Sequence, residues 1–450
     1  MRSFVKMKKV ILSFVVASTI TTIGSFAASD VAEAFKEGKA SGQVRAFYIN
    51  RGLEFDKTTS DYSRDGLAIG GKIGFETAPL FGVSAGAVFY TTNKLDDEHV
   101  TAAKNDKTLF DGNDDSYSTL GQAYIQGKFG ATTVKVGRQQ LDTPLAGSDD
   151  ARMIPNLFEA VVVINGDIKD TTLIGAHVTR MSYGTFANAY GGGELALTSG
   201  YGNRTDYKSG VFQNMGKAAL GDSAKDSGVT AVAAIYKGIP GLTLQIWDYY
   251  ADEILNAVYA QADYSWKCVL NPAATMTASA QYLKESDMHD TLNLSSAPYY
   301  AGQLALKAGN FNAAAAYSST GTDNGSTFKG SVIVPWGSMP AFTQGMVTRH
   351  QFMADTTAYK LSAGYNLKSV IGQDIAASAY YVSSNVDSDN SYTKAVTASE
   401  SGFDIIYNNA GIKNLQLRLR GNFPNDFRKN PTTSETTSWS EYRVIANYNF

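Results

Sequence analysis

The stretch LQLRLR, residues 415–420, alternates three leucines with Gln416, Arg418 and Arg420. A period of two belongs to a β-strand, whose successive side chains point to opposite faces. Two environments suit such a strand. Its leucines can pack on a soluble core while the arginines meet solvent, or they can face lipid while the arginines line an enclosed aqueous interior. In lipid the facing is fixed, because an arginine turned outward costs about 2–4 kcal/mol near the bilayer midplane. The rest of the chain decides between the two.

The same alternation recurs. Tyr442, Val444, Ala446, Tyr448 and Phe450 oppose Arg443, Asn447 and Asn449, and Met276, Ala278, Ala280 and Tyr282 oppose Thr275, Thr277, Ser279 and Gln281. The pattern predicts strands at 42–50, 66–76, 82–91, 118–129, 133–140, 158–165, 172–181, 229–237, 241–250, 254–265, 274–284, 299–308, 310–319, 355–366, 374–383, 399–409, 412–421 and 440–450. Most have about the 9–11 residues that a tilted membrane-crossing strand needs. Their even number is that of a bacterial outer-membrane barrel.

The connections carry the argument further. Those such as TAPLF (77–81), GAT (130–132) and GIP (238–240) are turns, whereas 92–117, 141–157, 182–228, 320–354, 384–398 and 422–439 are long and polar. Short turns at one end and long loops at the other belong to an outer-membrane barrel, and a soluble sandwich has no reason to segregate them. Only 251–253 breaks the rule, with almost nothing where a long loop is due. Aromatic residues crowd the strand ends, among them Phe47, Tyr48, Phe89, Tyr90, Tyr249, Tyr250, Tyr299, Tyr300, Tyr380 and Tyr381, as at membrane–water boundaries. The fold class is therefore all-β: a transmembrane antiparallel barrel of about eighteen strands.

At the N-terminus, Arg2, Lys6, Lys8 and Lys9 precede the apolar run 10–17, and Ser25 and Ala27 supply the small residues of a cleavage site. Residues 1–27 read as an export signal, with the mature chain starting at Ala28 and Met7 an alternative start. Residues 28–41 read as a short periplasmic segment and 42–450 as the barrel, integral to a bacterial outer membrane. Without residues 1–27 the formal charge moves from −3 to −7 (35 Lys+Arg against 42 Asp+Glu). A net acidic exported chain without a basic block excludes nucleic acid as a partner. The single cysteine, Cys268, excludes an intramolecular disulfide framework.

Enzymatic chemistry finds no support. GVSAG (82–86) fits G-x-S-x-G but lies inside an alternating strand, where the sharp strand-to-helix turn is missing. His99, His177, His289 and His350 are scattered, so no metal and no cofactor is expected. The outer acids Asp96, Asp97, Glu98, Asp111, Asp114 and Asp115 fit no calcium-loop spacing. An adhesin or structural barrel would instead use the long outer loops.

GFETAPLFGVSAGAVFYTTNKL (74–95) and LGQAYIQGKFGATTVKVGRQQLDTPLAGSDDARMIPNLFEAVVV (120–163) resemble the OprD-type porins, the outer-membrane carboxylate channels. The closing LRLR and final strand match in pattern, and the long outer loops do not. The resemblance implies an eighteen-stranded, water-filled channel for passive diffusion of small hydrophilic solutes: carboxylates, amino acids and ions. It also implies a ladder of basic side chains along one wall. GRQQL followed by a loop and an apolar strand is also similar to the major porin of Campylobacter-type bacteria. That similarity implies instead a general pore, a homotrimer in a membrane of lipid and lipopolysaccharide.

By phase, Arg418, Arg420 and Arg443 share the interior face of two neighbouring strands, and Arg45 and Lys360 also point inward. The resemblance assigns these to the ladder. Arg138 is included on the expectation of a bulge at Gly137, because strict alternation would put it on the lipid face with Val134 and Val136. The third outer connection, 141–157, is expected to fold inward as a constriction. Its Asp142, Asp149 and Asp150, beside Arg152, would face the basic wall and set a transverse field.

Overall fold

A computed structural model describes residues 28–450 apart from 58, 96–103, 191–192, 203–207, 222–223, 225–227, 289–292, 295–296, 339 and 410. The expected export signal, His99, His289 and the acids Asp96, Asp97 and Glu98 lie outside the described residues. After a one-turn helix, α1 (Val31–Lys36), one antiparallel sheet runs through β1 (Lys39–Phe55), β2 (Tyr62–Glu76), β3 (Val83–Lys94), β4 (Tyr117–Phe129), β5 (Thr132–Gln139), β6 (Leu157–Asn165), β7 (Thr171–Ser182), β9 (Val229–Tyr236), β10 (Leu242–Ala251), β11 (Leu255–Lys267), β12 (Ala274–Asp287), β13 (Tyr299–Ala308), β14 (Phe311–Thr320), β15 (Thr356–Asn366), β16 (Asp374–Val386), β17 (Val396–Asn408), β18 (Leu415–Asn425) and β20 (Thr436–Asn449). Two two-residue pieces, β8 (Gln213–Asn214) and β19 (Arg428–Lys429), pair at the rim.

The last strand pairs with the first, from Gln43↔Asn449 to Phe55↔Thr437, so the sheet closes and leaves no edge. Phe450 finishes the seam: its N–H donates to Gly42 O (3.0 Å), and Gly42 N–H donates to Phe450 O (2.9 Å). A Cβ at position 42 would stand 2.9 Å from the backbone Lys72 O as well as against the Phe450 ring, so glycine suits the seam there. Each expected strand is present, with β1 and β2 extending beyond their expected bounds to 17 and 15 residues. There Arg51 and Arg64 face each other across the hairpin, beyond the reach of any apolar alternation. The short outer connection flagged by sequence is a tight hairpin: Ala251 pairs with Leu255, and Glu253 takes a positive φ of 57° to turn the chain.

The facing follows LQLRLR. Leu417 and Leu419 expose 41% and 40% of their surface on the outer wall, while Arg418 and Arg420 point inward. The interior, however, is far from uniformly polar. The connections expected as outward polar loops at 182–228 and 320–354 instead send their described apolar runs into the barrel. Leu195, Tyr201, Met215, Ile333 and Trp336 are buried against inward-facing Phe158, Trp247, Tyr249 and Leu283 of the wall. The reason is elementary: stretches such as LALT (195–198) and VIVPW (332–336) lose stability if left in water. Trp336 donates its indole N–H to Met215 O (3.1 Å) and so joins the two loops.

The outward position of Leu419, in the middle of the β18 apolar band, yields the first prediction. Leu419→Arg should lower the folded, membrane-inserted fraction by about 2–4 kcal/mol. Arg420→Leu, one residue away, should insert as the wild type does. Heat-modifiable mobility on gels measures both.

Candidate channel constriction

Register places the interior arginines. Arg420 of β18 lies directly opposite Arg443 of β20. Asp404 of β17 pairs with Arg420, and Arg418 stands one inward position nearer the periplasmic end. On the other side of β20, Arg45 of β1 pairs with Asn447, two inward positions below Arg443. Four guanidinium groups thus share three neighbouring strands. Like charges directly opposite on a sheet destabilise it, so counter-charges have to hold the group together.

Glu441 is the main one. It is fully buried; Arg152 Nη2 lies 2.8 Å from its Oε1, Arg51 Nε 3.1 Å from its Oε2, and Arg443 Nε 2.8 Å from its Oε1. Arg51 also reaches Asp106 at 3.4 Å, and Arg152 Nε donates to Thr108 Oγ1 (3.1 Å). Loops 95–116 and 140–156 are therefore fastened to the β1–β20 seam through buried charge. Burial and the neighbouring Arg443 push the Arg152 guanidinium down to about 10, against the pull of Glu441, so it stays charged at neutral pH.

Loop 140–156 turns inward, as its aspartates and prolines led us to expect, but its charges divide into different roles. Asp142 accepts from Ser148 N–H (3.0 Å) and hydroxyl (2.5 Å) and closes a local turn, its carboxyl pushed up by burial. Asp149 binds Arg349 of loop 321–355 (2.9 Å) and accepts from the Tyr201 hydroxyl (2.6 Å). Asp150 is the half-exposed one, at 37% of its side chain, and it takes Arg45 as a two-oxygen partner (2.8 and 3.3 Å). Arg152 has no exposed side-chain surface and serves as a fastener.

Lys360 faces inward and donates to Gln344 O (2.5 Å) beside the Tyr380 ring, so it holds loop 321–355 to the wall. Glu400 helps from β17, two strands along the wall, by accepting the N–H groups of Met346 (2.9 Å), Val347 (3.2 Å) and Thr348 (2.6 Å). Arg418 forms a two-pronged pair with Asp404. Arg420 stands apart. Its guanidinium makes no hydrogen bond among the described residues, its Nε lies 3.5 Å from Asp404, and 17% of its side chain is exposed.

Arg138 departs from expectation. The β4–β5 and β5–β6 registers run unbroken through Gly137, so no bulge turns it inward. It stays on the outer face with Val136, ion-paired to Glu159 at 3.6 Å and covered by the Phe212 ring at 4.3 Å. Sequence reasoning also missed Glu441, Asp404 and Arg51, although each shares the inward phase of its strand. Arg349, in a loop without periodicity, carries no such signal.

The group counts six arginines (45, 51, 152, 418, 420, 443) against four carboxylates (Asp106, Asp150, Asp404, Glu441), an excess of two positive charges. Such an arrangement can hold an anion transiently through forked hydrogen bonds. Among the described residues no cluster of His, Cys, Asp and Glu could hold a metal ion.

The model of the outer membrane porin, OprD family, matches residues 33–450. No curated protein matches the chain in sequence. Among solved structures, Pseudomonas aeruginosa OccK9 (OpdG) superposes with a TM-score of 0.73 at 17% identity, covering 93% of this chain and 99% of that one. OccK5 (OpdH) of the same organism gives 0.69 at 16% identity, over 93% and 99% of the two chains. Its OpdK, solved with vanillate, gives 0.68 at 15% identity, over 92% and 99%.

Two predictions follow from the fastening charges. Glu441→Gln would leave three buried guanidinium groups short of their shared partner and should destabilise the folded barrel by about 3–5 kcal/mol, read as a lower unfolding temperature. His350, buried in loop 321–355, has its imidazole pushed down to about 4 by burial. An unfolded histidine titrates near about 6.5, so the fold holds the neutral ring. Its stabilising contribution is full above about pH 6.5 and falls as pH drops from there toward about 4, by on the order of 3 kcal/mol. His350→Phe should flatten that acid dependence in thermal unfolding measured between pH 7.5 and 4.

Proposed function

We propose, from the premise that this chain belongs to the OprD family of outer membrane porins, that its arginine wall makes the channel prefer small carboxylates and amino acids to neutral solutes of equal size. The protein is an integral outer-membrane channel for small solutes, and members of its family are channels, not enzymes. The observation that carries the preference is Arg420. It is a partly exposed guanidinium with unused hydrogen-bonding capacity, set opposite Arg443 and beside Arg418. A guanidinium cannot be deprotonated at physiological pH and matches a carboxylate with two parallel hydrogen bonds.

A carboxylate entering the constriction meets Arg420 first as a free fork. Arg418 stands next along the wall, but its fork is shared with Asp404, which weakens its hold on the solute. Successive weak sites permit entry and release, which conduction requires. Asp150 lies beside Arg45 on the inward loop and can attract the ammonium end of a zwitterion. The outer loops are acidic, yet screening at physiological salt confines their influence to about 8 Å. OpdK, similar in fold, was solved with a carboxylate, vanillate, which accords with the same chemistry.

Liposome swelling tests this. Wild-type channels should pass a small monocarboxylate several-fold faster than a neutral sugar of matched size. Arg420→Gln should bring the ratio toward one while conductance persists, since Arg420 fastens no loop. An unchanged ratio would leave a general pore without preference.

A further inference from the structure

We infer that lysines around the periplasmic mouth form a second charge filter, apart from the arginine wall, and make anion permeation asymmetric. Lys267 ends β11 and pairs with Thr275 of β12, which pairs in turn with Lys307 of β13. Thr275 shares the phase of Ser279 and Gln281, and Gln281 donates to Pro340 O of the inward loop, so this row faces the lumen. The two lysines stand two strands, or about 10 Å, apart. They lie on the side of the barrel away from β18, β20 and β1, where the arginines are.

Other lysines complete the ring. Lys128 and Lys135, on β4 and β5, share the inward phase on which Gln126 pairs with Lys135. The turns add Lys169, Lys237, Lys368 and Lys413. From β4 round to the turn between β17 and β18, this end of the barrel carries these eight lysines against Asp167, Asp170, Asp263 and Asp374, an excess of four positive charges. All but Lys135 are exposed, and none of those seven makes an ion pair or a side-chain hydrogen bond among the described residues. Two of the aspartates are held by amides and a hydroxyl rather than by ammonium groups. Asp263 accepts from Gln261 (2.8 Å) and Ser279 (2.6 Å), and Asp374 from Asn366 (2.9 Å) and Asn408 (3.2 Å). The acids of α1, Asp30, Glu33 and Glu37, sit outside this arc, beside β2 and the turn that follows it.

Charges of one sign act together on a passing ion when they lie within a Debye length of one another, about 10 Å at 0.1 M salt and about 3 Å at 1 M. At the spacing of Lys267 and Lys307 the fields overlap in dilute salt and separate in concentrated salt. A mouth lined by one sign of charge raises the local concentration of the opposite ion. The outer loops are acidic, so the two mouths differ in sign: anions gather at the periplasmic one and are thinned at the extracellular one. Fixed charge weighs most at the mouth that faces the dilute solution, where screening is weakest. The preference for chloride over potassium therefore depends on the direction of a salt gradient.

Single channels of the whole protein in planar bilayers test this. A potassium chloride gradient between about 0.03 and about 0.3 M is imposed in each direction, a range in which screening stays weak on the dilute side. A membrane-impermeant biotin maleimide with streptavidin, added to one chamber at the end, reports which side Cys268 of the β11–β12 turn faces. The chloride-to-potassium permeability ratio should be about twofold higher when the periplasmic mouth meets the dilute solution. Lys267→Gln combined with Lys307→Gln should remove most of that difference. Arg420→Gln should lower the ratio in both directions and leave the difference intact, so the ring and the arginine wall are read separately. In the wild type the difference should vanish between about 0.3 and about 3 M, which needs no substitution. Equal ratios in both directions at low salt would overturn the proposal, as would a difference that survives the lysine substitutions or persists at high salt.

Discussion

Glu441 and the three arginines around it form the constraint on which the rest of the interior depends. A single buried carboxylate meets Arg51, Arg152 and Arg443, which come from β1, from the inward loop and from β20 itself. Taking one negative and three positive groups out of water is unfavourable unless each finds a partner. The geometry meets that demand by drawing loop 140–156 against the barrel seam. The position of the loop, and so the shape of the passage, follows from charge pairing at the place where the sheet closes.

The same seam explains why excess positive charge survives in the lumen. Arg443 is committed to Glu441 and Asn422, and Arg418 to Asp404, but Arg420 is left between them with its fork open. A fold selected for stability alone would be better served by a neutral side chain there, as on the apolar half of the interior. That half is packed by described residues of loops 183–228 and 321–355, and Arg349 of the second loop is paired with Asp149 of loop 140–156. On the proposed function, a permeating solute would pass between this apolar packing and the arginine-bearing wall.

How much of this was legible in the sequence depends on periodicity. Strand alternation is a local signal, so Leu417, Arg418 and Leu419 declared both the barrel and the facing, and the closing strand could be read the same way to Phe450. Loops have no period. Nothing in VIVPW said that it enters the barrel, except that five such residues have no place in water. Arg138 shows the opposite failure: a charged residue on an outward phase was taken to need a bulge, whereas Glu159 opposite and Phe212 above supply what lipid would not. Arg152 was placed in the correct loop, but its burial depends on Glu441, which is 289 residues away.

The zero-current potential of single channels in a salt gradient tests the central claim most directly, because it reads the sign of the charge that a passing ion meets. With potassium chloride tenfold more concentrated on one side of a planar bilayer, a constriction governed by the arginine wall gives a potential of the sign set by chloride moving faster than potassium. A potential of the opposite sign would mean that the acidic loops govern permeation and would contradict the account.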